Sequence, residues 1–131
     1  MDVTPTLFLA LCLGGGLGSM LRASLAAWMA RYGAAVLAIY LINLSGSFLI
    51  GLGFGLHAQA SALSGQSDLA FAFFAIGLLG GYTTVSTHAL QVLGCWQDGQ
   101  HRAAITLALG ALISCPLAAW AGAQSVLQGG W

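Results

Sequence analysis

Charged side chains are almost absent from this chain of 131 residues, and that shortage limits its fold more than any motif does. The sequence contains three Arg and three Asp, no Lys and no Glu, while 59% of its residues are hydrophobic. Soluble domains carry about 25% charged residues, so these few charges cannot coat a water-exposed surface. The composition therefore predicts an integral membrane protein. A net charge of zero leaves no basic surface, so we expect no nucleic-acid partner.

Four apolar stretches follow one another, and each is about as long as a membrane-spanning helix of roughly 20 residues. We therefore predict one all-α domain over residues 1–131, with spans near residues 6–29, 34–56, 69–96 and 103–126. Residues 57–68 are polar and small, and they are predicted to form the loop between the second and third spans.

All three arginines fall on the same predicted side of the membrane. Arg31 and Arg102 fall in the first and third turns, and Arg22 lies towards the same side of the first span. Because Arg and Lys favour cytoplasmic loops, the pattern predicts that these two turns face the cytoplasm and that both termini lie outside.

The centre of the third stretch, residues 80–87, holds two glycines and four Ser or Thr residues where the bilayer is driest. Non-helical backbone at that depth persists only when it is buried in protein or lines a wet cavity. Carbonyls freed by a break can coordinate a cation, and the ends of half-helices can face an anion. The alternative is a glycine kink in which the hydroxyls bond back to the preceding turn. The composition leaves both structures open.

Two further polar side chains are predicted at mid-membrane. The Asn43 amide either donates to a dehydrated anion or makes an interhelical hydrogen bond, because a buried amide without a partner is costly. His88, one turn beyond Thr84, either packs through a hydrogen bond or lines a pore, where its charge would change between about pH 5 and 8. His57 and His101 are predicted to be solvated in loops.

Small residues recur at intervals of four in the first two spans. Gly14 and Gly18 form one such face, and Gly51 and Gly55 form another, which favours close helix approach. Arg22 is expected to reach the membrane interface or to bind backbone carbonyls. No set of nucleophile, base and acid can be assembled from this sequence, so we do not expect an enzyme.

Three segments together resemble the small fluoride channel family, Fluc, also called CrcB. They are GGGLGSMLR at Gly14–Arg22, NLSGSFLIG at Asn43–Gly51 and GLLGGYTTVST at Gly77–Thr87. They fall on the first three spans in the order of the family, and the length and four-span layout agree. The resemblance implies a channel that passively exports fluoride across a bacterial plasma membrane. It also implies an antiparallel dimer of inverted subunits (dual topology), with a pore on either side of the interface.

The resemblance further assigns roles to individual residues. It implies that the third helix is broken near Gly80–Thr84. It also implies a structural Na⁺ that is not transported and that is held on the two-fold axis by the backbone carbonyls of Gly80 and Thr83. It places Asn43, Ser86 and Thr87 along the ion pathway, where hydrogen-bond donors replace the water around fluoride. It gives structural roles to Arg22, Gly14, Gly18 and Gly46.

The sequence departs from the family pattern in the expected pore lining. Val85 and His88 stand where the family has two pore-lining Phe residues, Gln91 stands where a Glu is common, and Leu107 lies near the place of a fourth-helix Tyr. We therefore expect Val85 and His88 on the ion pathway, with His88 as a replacement donor.

Several assemblies and functions stay open at this point. The chain could form a homodimer with a differently lined pore, or one half of a heterodimer with a paired homologous subunit of fixed orientation. It could also conduct another small anion, or serve as a non-conducting assembly subunit in the lipid bilayer.

Overall fold

The structure is a computed structural model that describes residues 4–64 and 68–128. Within these ranges every regular element is helical. The elements are α1 (Pro5–Ala30), α2 (Ala35–Ser64), α3 (Asp68–Phe71), a π-helical segment (Ala72–Leu78), α4 (Leu79–Tyr82), α5 (Val85–Gln97) and α6 (His101–Leu127). Four stretches are long and apolar enough to cross a membrane, namely Pro5–Ala30, Ala35–Ala60, Leu69–Gln97 and His101–Leu127. The predicted four-span, all-α fold is confirmed.

The third span, Leu69–Gln97, is interrupted between α4 and α5. Thr83 (φ −82°, ψ 154°) and Thr84 (φ −154°, ψ 129°) both adopt an extended backbone conformation there. The predicted break is therefore confirmed, and it lies at the C-terminal end of the glycine and threonine segment. A kinked but continuous helix is not what the chain forms.

The π-helical segment before the break was not predicted. Its sequence, AFFAIGL, contains no proline and no polar side chain that would mark a departure from α-helical hydrogen bonding. Such segments are rare and often occur near functional sites. Here it leads directly into the short helix that ends at the break.

Glycines let α1 cross the first half of the third span with the two backbones almost touching. Gly14 and Gly18 are both buried. A Cβ on Gly18 would overlap the carbonyl oxygen of Leu78, and a Cβ on Gly81 would overlap that of Gly15. The close approach expected from the first small-residue face is therefore present.

A second glycine contact joins α2 to α6. A Cβ on Gly51 would overlap the carbonyl oxygen of Ala119, and one on Gly122 would overlap that of Phe48. A Cβ on Gly55 would lie 3.0 Å from the carbonyl oxygen of Ala123, which is tighter than usual packing. The second small-residue face thus packs against the fourth span.

Helix α2 is longer than expected and continues to Ser64. The prediction of a loop over residues 57–68 is therefore wrong for residues 57–64 and for Asp68, which begins α3. Residues 65–67 lie outside the described part of the chain. This stretch, HAQASALS, is rich in Ala and contains Leu and Gln, which favour helix once one has begun. His57 consequently lies in α2, and its ring stacks on Phe71 at a centroid distance of 4.1 Å instead of being solvated in a loop.

Both turn arginines are exposed at one end of the bundle. Arg31 follows the last residue of α1, and Arg102 lies in the first turn of α6. His101 begins α6, and its ring lies 4.4 Å from that of Trp96. The side of the membrane that this end faces stays a prediction.

The α1 crossing predicts that Gly18→Ala destabilises the fold while Gly16→Ala does not. The new methyl at residue 18 would press on the backbone of Leu78, whereas nothing lies within 4 Å of a Cβ at residue 16. Overpacking of this kind costs about 1–3 kcal/mol. The free energy of unfolding in mixed micelles measures the difference. Equal stability of the two variants would contradict the close crossing.

Candidate functional site

The break in the third span is held by the side chain of Asn43, which is 9% exposed. Its Nδ2 donates to the carbonyl oxygen of Thr84 at 2.7 Å, and the Thr84 backbone N–H donates to its Oδ1 at 2.8 Å. The amide thus satisfies both backbone groups of one extended residue. This is the interhelical hydrogen bonding that the sequence left open, and one of the two amide hydrogens remains for another acceptor.

The same contact leaves backbone carbonyls without their helical donors. In a continuous α-helix the N–H of Thr84 would donate to the carbonyl of Gly80, and the N–H of Thr87 to that of Thr83. Here the first N–H donates to Asn43, and the second donates to the Thr84 Oγ1 at 3.4 Å. Gly80 is exposed and Thr83 is half-buried. These are the two residues whose carbonyls the family resemblance implies as Na⁺ ligands, and Na⁺ binding there stays a prediction.

A third carbonyl at the break is bound by Arg22 of α1. Its Nε donates to the carbonyl oxygen of Gly81 at 3.3 Å. Arg22 is half-buried. The structure therefore gives it the carbonyl-binding role that the sequence offered as one of two alternatives.

Gly46 of α2 gives the break the space it occupies. Gly46 is buried, and a Cβ there would overlap the Thr83 Cγ2 and lie 3.1 Å from the Tyr82 ring. The Tyr82 hydroxyl also lies 3.3 Å from the Ser45 Oγ. Helix α2 therefore packs against both residues that precede Thr84, namely Tyr82 and Thr83.

Beside the break, a cleft of about 850 Å³ lies among α2, α5 and α6. We call it the polar cleft after the polar side chains at its end near the break, which are Asn43, Ser47, Thr83, Thr84 and His88. The rest of its lining is mostly apolar and includes Val85, Ile50, Val92, Leu93, Trp96 and Leu112. Gly80 and Cys115 also line it. The structure therefore brings both predicted Na⁺ residues together with three of the predicted pathway residues. Ser47 was missed, although it lies one turn beyond Asn43 on the same helix.

The other two predicted pathway residues, Ser86 and Thr87, do not line the polar cleft. The Ser86 Oγ lies 3.2 Å from the Thr84 Oγ1, which in turn lies 3.4 Å from the Thr87 Oγ1. Thr84 caps the N-terminus of α5, so these hydroxyls form a capping network. A role of Ser86 and Thr87 in an ion pathway stays a prediction.

His88 lies in the polar cleft with neither ring nitrogen satisfied. The residue is half-buried, both nitrogens are shielded from solvent, and neither has a hydrogen-bond partner among the described residues. The packing interpretation required a hydrogen bond, which the structure does not provide. An unpaired buried polar group costs about 1–3 kcal/mol. Val85, one turn earlier, is 83% exposed.

One of the remaining departures from the family pattern, Gln91, joins two helices. The Gln91 Nε2 donates to the carbonyl oxygen of Ala35 at 2.8 Å and so ties α5 to the start of α2. On the fourth span, Leu107 is half-buried, and the hydroxyl of Ser114 lies 2.9 Å from that of Tyr40. A tyrosine hydroxyl therefore reaches α6 from α2, which the sequence did not indicate.

Comparison with known proteins places this arrangement among relatives of similar length. Residues 9–123 match the family described as CrcB-like protein, Camphor Resistance (CrcB). A protein named Fluoride-specific ion channel FluC from Thermus thermophilus is 40% identical over 117 residues, which cover 88% of this chain and 89% of the relative. Fluoride-specific ion channel FluC 2 from Nocardia farcinica is 37% identical over 119 residues, covering 90% and 80%. Fluoride-specific ion channel FluC 3 from Brucella suis is 32% identical over 117 residues, covering 88% and 87%.

The Asn43–Thr84 contact predicts a local effect of Asn43→Ala. Both backbone groups of Thr84 would lose their partner, at a cost of about 1–3 kcal/mol for each buried group left unsatisfied. We expect faster hydrogen exchange at the Thr84 amide and lower thermal stability, with little change at amides in the middle of α6. Ser47→Ala, one turn away, is the matched control. Unchanged protection of the Thr84 amide in Asn43→Ala would contradict the assigned hydrogen bond.

Proposed function

This chain belongs to the CrcB family, and on that premise we propose that it is a fluoride-specific ion channel that passively exports fluoride and lowers its concentration in the cytoplasm. A channel carries out no chemical reaction, so the protein is not an enzyme. It is a multi-pass membrane protein, and we place it in the bacterial plasma membrane. The observation that carries the proposal is the polar cleft, which brings hydrogen-bond donors to a break between apolar spans.

Fluoride is small and strongly hydrated, so its pathway has to replace water with closely placed donors. In the polar cleft, the second amide hydrogen of Asn43 and the hydroxyl of Ser47 are of this kind. Helix α5 begins at Val85 on the edge of the cleft, and the N-terminus of a helix carries partial positive charge. These groups favour an anion over a cation. We keep Val85, His88, Ser86 and Thr87 as further pathway residues.

We also propose that two copies pair in inverted orientation around a structural Na⁺. A polar backbone group cannot face hydrocarbon without a cost of several kcal/mol, so the carbonyl of exposed Gly80 needs a partner. The carbonyls of Gly80 and Thr83 from two copies would give four oxygen ligands, and the cation would neutralise their dipoles. In this proposal the ion holds the dimer together and does not move with fluoride.

A heterodimer with a paired homologous subunit is the second candidate assembly. Arg31 and Arg102 are exposed at one end of the bundle, which favours one fixed orientation of this chain. A fixed orientation suits a partner of the opposite orientation, whereas a homodimer requires both orientations of one sequence.

The proposed function predicts rapid fluoride efflux from liposomes that hold the purified protein with sodium present. Efflux is followed with a fluoride electrode, and chloride efflux serves as the comparison. Asn43→Asp is expected to abolish it, because a carboxylate repels an anion and cannot donate to the Thr84 carbonyl. Gly16→Ala, which meets nothing within 4 Å, is the control that should retain efflux.

The outcomes of this experiment separate the candidates. Undiminished fluoride efflux in Asn43→Asp removes Asn43 from the pathway. A well-folded wild-type dimer without efflux indicates a missing paired subunit or a non-conducting role. Equal efflux of chloride and fluoride indicates altered selectivity.

The proposed Na⁺ site predicts that sodium stabilises the assembled protein. Ligand binding to the folded state adds about 2.7 kcal/mol at a concentration one hundred times the dissociation constant. We expect a lower midpoint of thermal dissociation when sodium is replaced by N-methyl-D-glucamine, and no rescue by that large cation at any concentration. Thr83→Ser keeps the backbone carbonyl and should keep the sodium effect. Identical midpoints in both salts would argue against the site.

A further inference from the structure

We propose that the His88 imidazole is a specificity-determining anion donor in the polar cleft and that it binds fluoride more tightly when it is protonated. This inference rests on the proposed channel function, because it names the residue that sets the affinity of that pathway. His88 stands at a family pore position that otherwise holds an apolar ring, so the effect is expected of this chain in particular.

The first argument is the unused hydrogen-bonding capacity of the ring. Asn43 and the Thr84 backbone satisfy each other, and the Thr84 hydroxyl is engaged with the Thr87 N–H. His88 lines the same cleft, yet neither of its nitrogens has a partner among the described residues. A neutral imidazole offers one N–H donor, and a protonated one offers two. The cleft is the place from which an acceptor can reach it.

The second argument is the charge of the surroundings. From α2 the cleft presents Asn43 and Ser47, and from the break it presents Thr83 and Thr84. From α6 it presents Cys115, which is the titratable residue besides His88 in the lining. Neither Asp nor Arg is found among the described residues that line it. A protonated His88 would therefore have no carboxylate partner, and a small anion is the group that balances its charge.

Binding requires a small movement of the ring. Both nitrogens are shielded from solvent in this arrangement, so the imidazole has to turn about its side-chain bonds to present an N–H to the cleft. Ala108 and Ala111 of α6 line the same cleft with small side chains.

The test measures binding and conduction separately. Protein with ¹⁵N-labelled histidine is placed in lipid nanodiscs and titrated with sodium fluoride at the two ends of the range in which imidazole titrates, about pH 5.5 and 8. Sodium gluconate keeps the sodium concentration constant. We expect the His88 ring resonances to shift with fluoride, and the apparent dissociation constant to be several-fold lower at the lower pH. His57 and His101, at the ends of spans, are internal references.

Variants separate the ring from the rest of the cleft. His88→Gln keeps a donor but cannot titrate. After the leak from protein-free vesicles is subtracted, we expect the fluoride efflux of this variant to be the same at both pH values. His88→Phe restores the ring of the family pattern, is expected to behave in the same way, and serves if the glutamine variant fails to fold. Cys115→Ala removes the other titratable group of the lining and should keep the pH dependence of the wild type.

Each outcome bears on one of the two proposals. His88 resonances that do not respond to fluoride, or a pH dependence that persists in His88→Gln and His88→Phe, overturn the role of His88. If the wild type shows fluoride efflux in either of those cases, the proposed channel function is kept and only the role of His88 is rejected. If His88 binds fluoride but the wild type shows no fluoride efflux, the binding site stands and the channel function of this chain alone fails.

Discussion

The pair of hydrogen bonds between the Asn43 amide and the backbone of Thr84 is the contact on which the rest of the site depends. An unwound backbone in a membrane span loses helical hydrogen bonds, and the bilayer offers no water to replace them. Asn43 replaces both bonds of the most extended residue at 2.7 and 2.8 Å. Because the extended Thr84 directs its N–H to Asn43, the carbonyl of Gly80 lacks the donor it would have in a continuous helix. One amide therefore stabilises the break and leaves a backbone carbonyl beside it without a helical donor.

The glycine contacts determine how close the supporting helices can come. With Gly18 against Leu78, α1 lies near enough for the Arg22 side chain to reach the carbonyl of Gly81. Gly46 allows the same close approach of α2 to the break, because any larger side chain there would collide with Thr83. Since the lipid gives helices little hydrophobic reason to associate, such close backbone packing is a main source of stability in the membrane. The polar contacts at the break are thus positioned by residues that have no side chain.

The sequence predicted those features that follow from the cost of a polar group in the bilayer. The four spans and the need of Asn43 for a partner depend on local composition, which can be read without coordinates. Composition left the break open against a continuous kinked helix, and the family resemblance implied it. The π-helical segment Ala72–Leu78 could not be foreseen, because nothing in its apolar sequence distinguishes it from an α-helix. Residues 57–64 were misjudged because their polarity predicted a loop while their helix propensity extended α2. The Tyr40–Ser114 contact joins residues that are 74 positions apart, and only the packing of α2 on α6 brings them together.

The contacts that hold the break are separate from the side chains that line the cleft. Asn43 and Arg22 bind backbone groups of the break, and those contacts are unaffected by the identity of the side chains that follow on α5. Val85 and His88 begin and complete the first turn of α5, and neither makes a hydrogen bond to the residues that hold the break. The side chains at these two positions are therefore independent of the hydrogen bonds that hold the break. The unsatisfied ring nitrogens of His88 thus belong to the lining of the cleft and not to the contacts that hold the break.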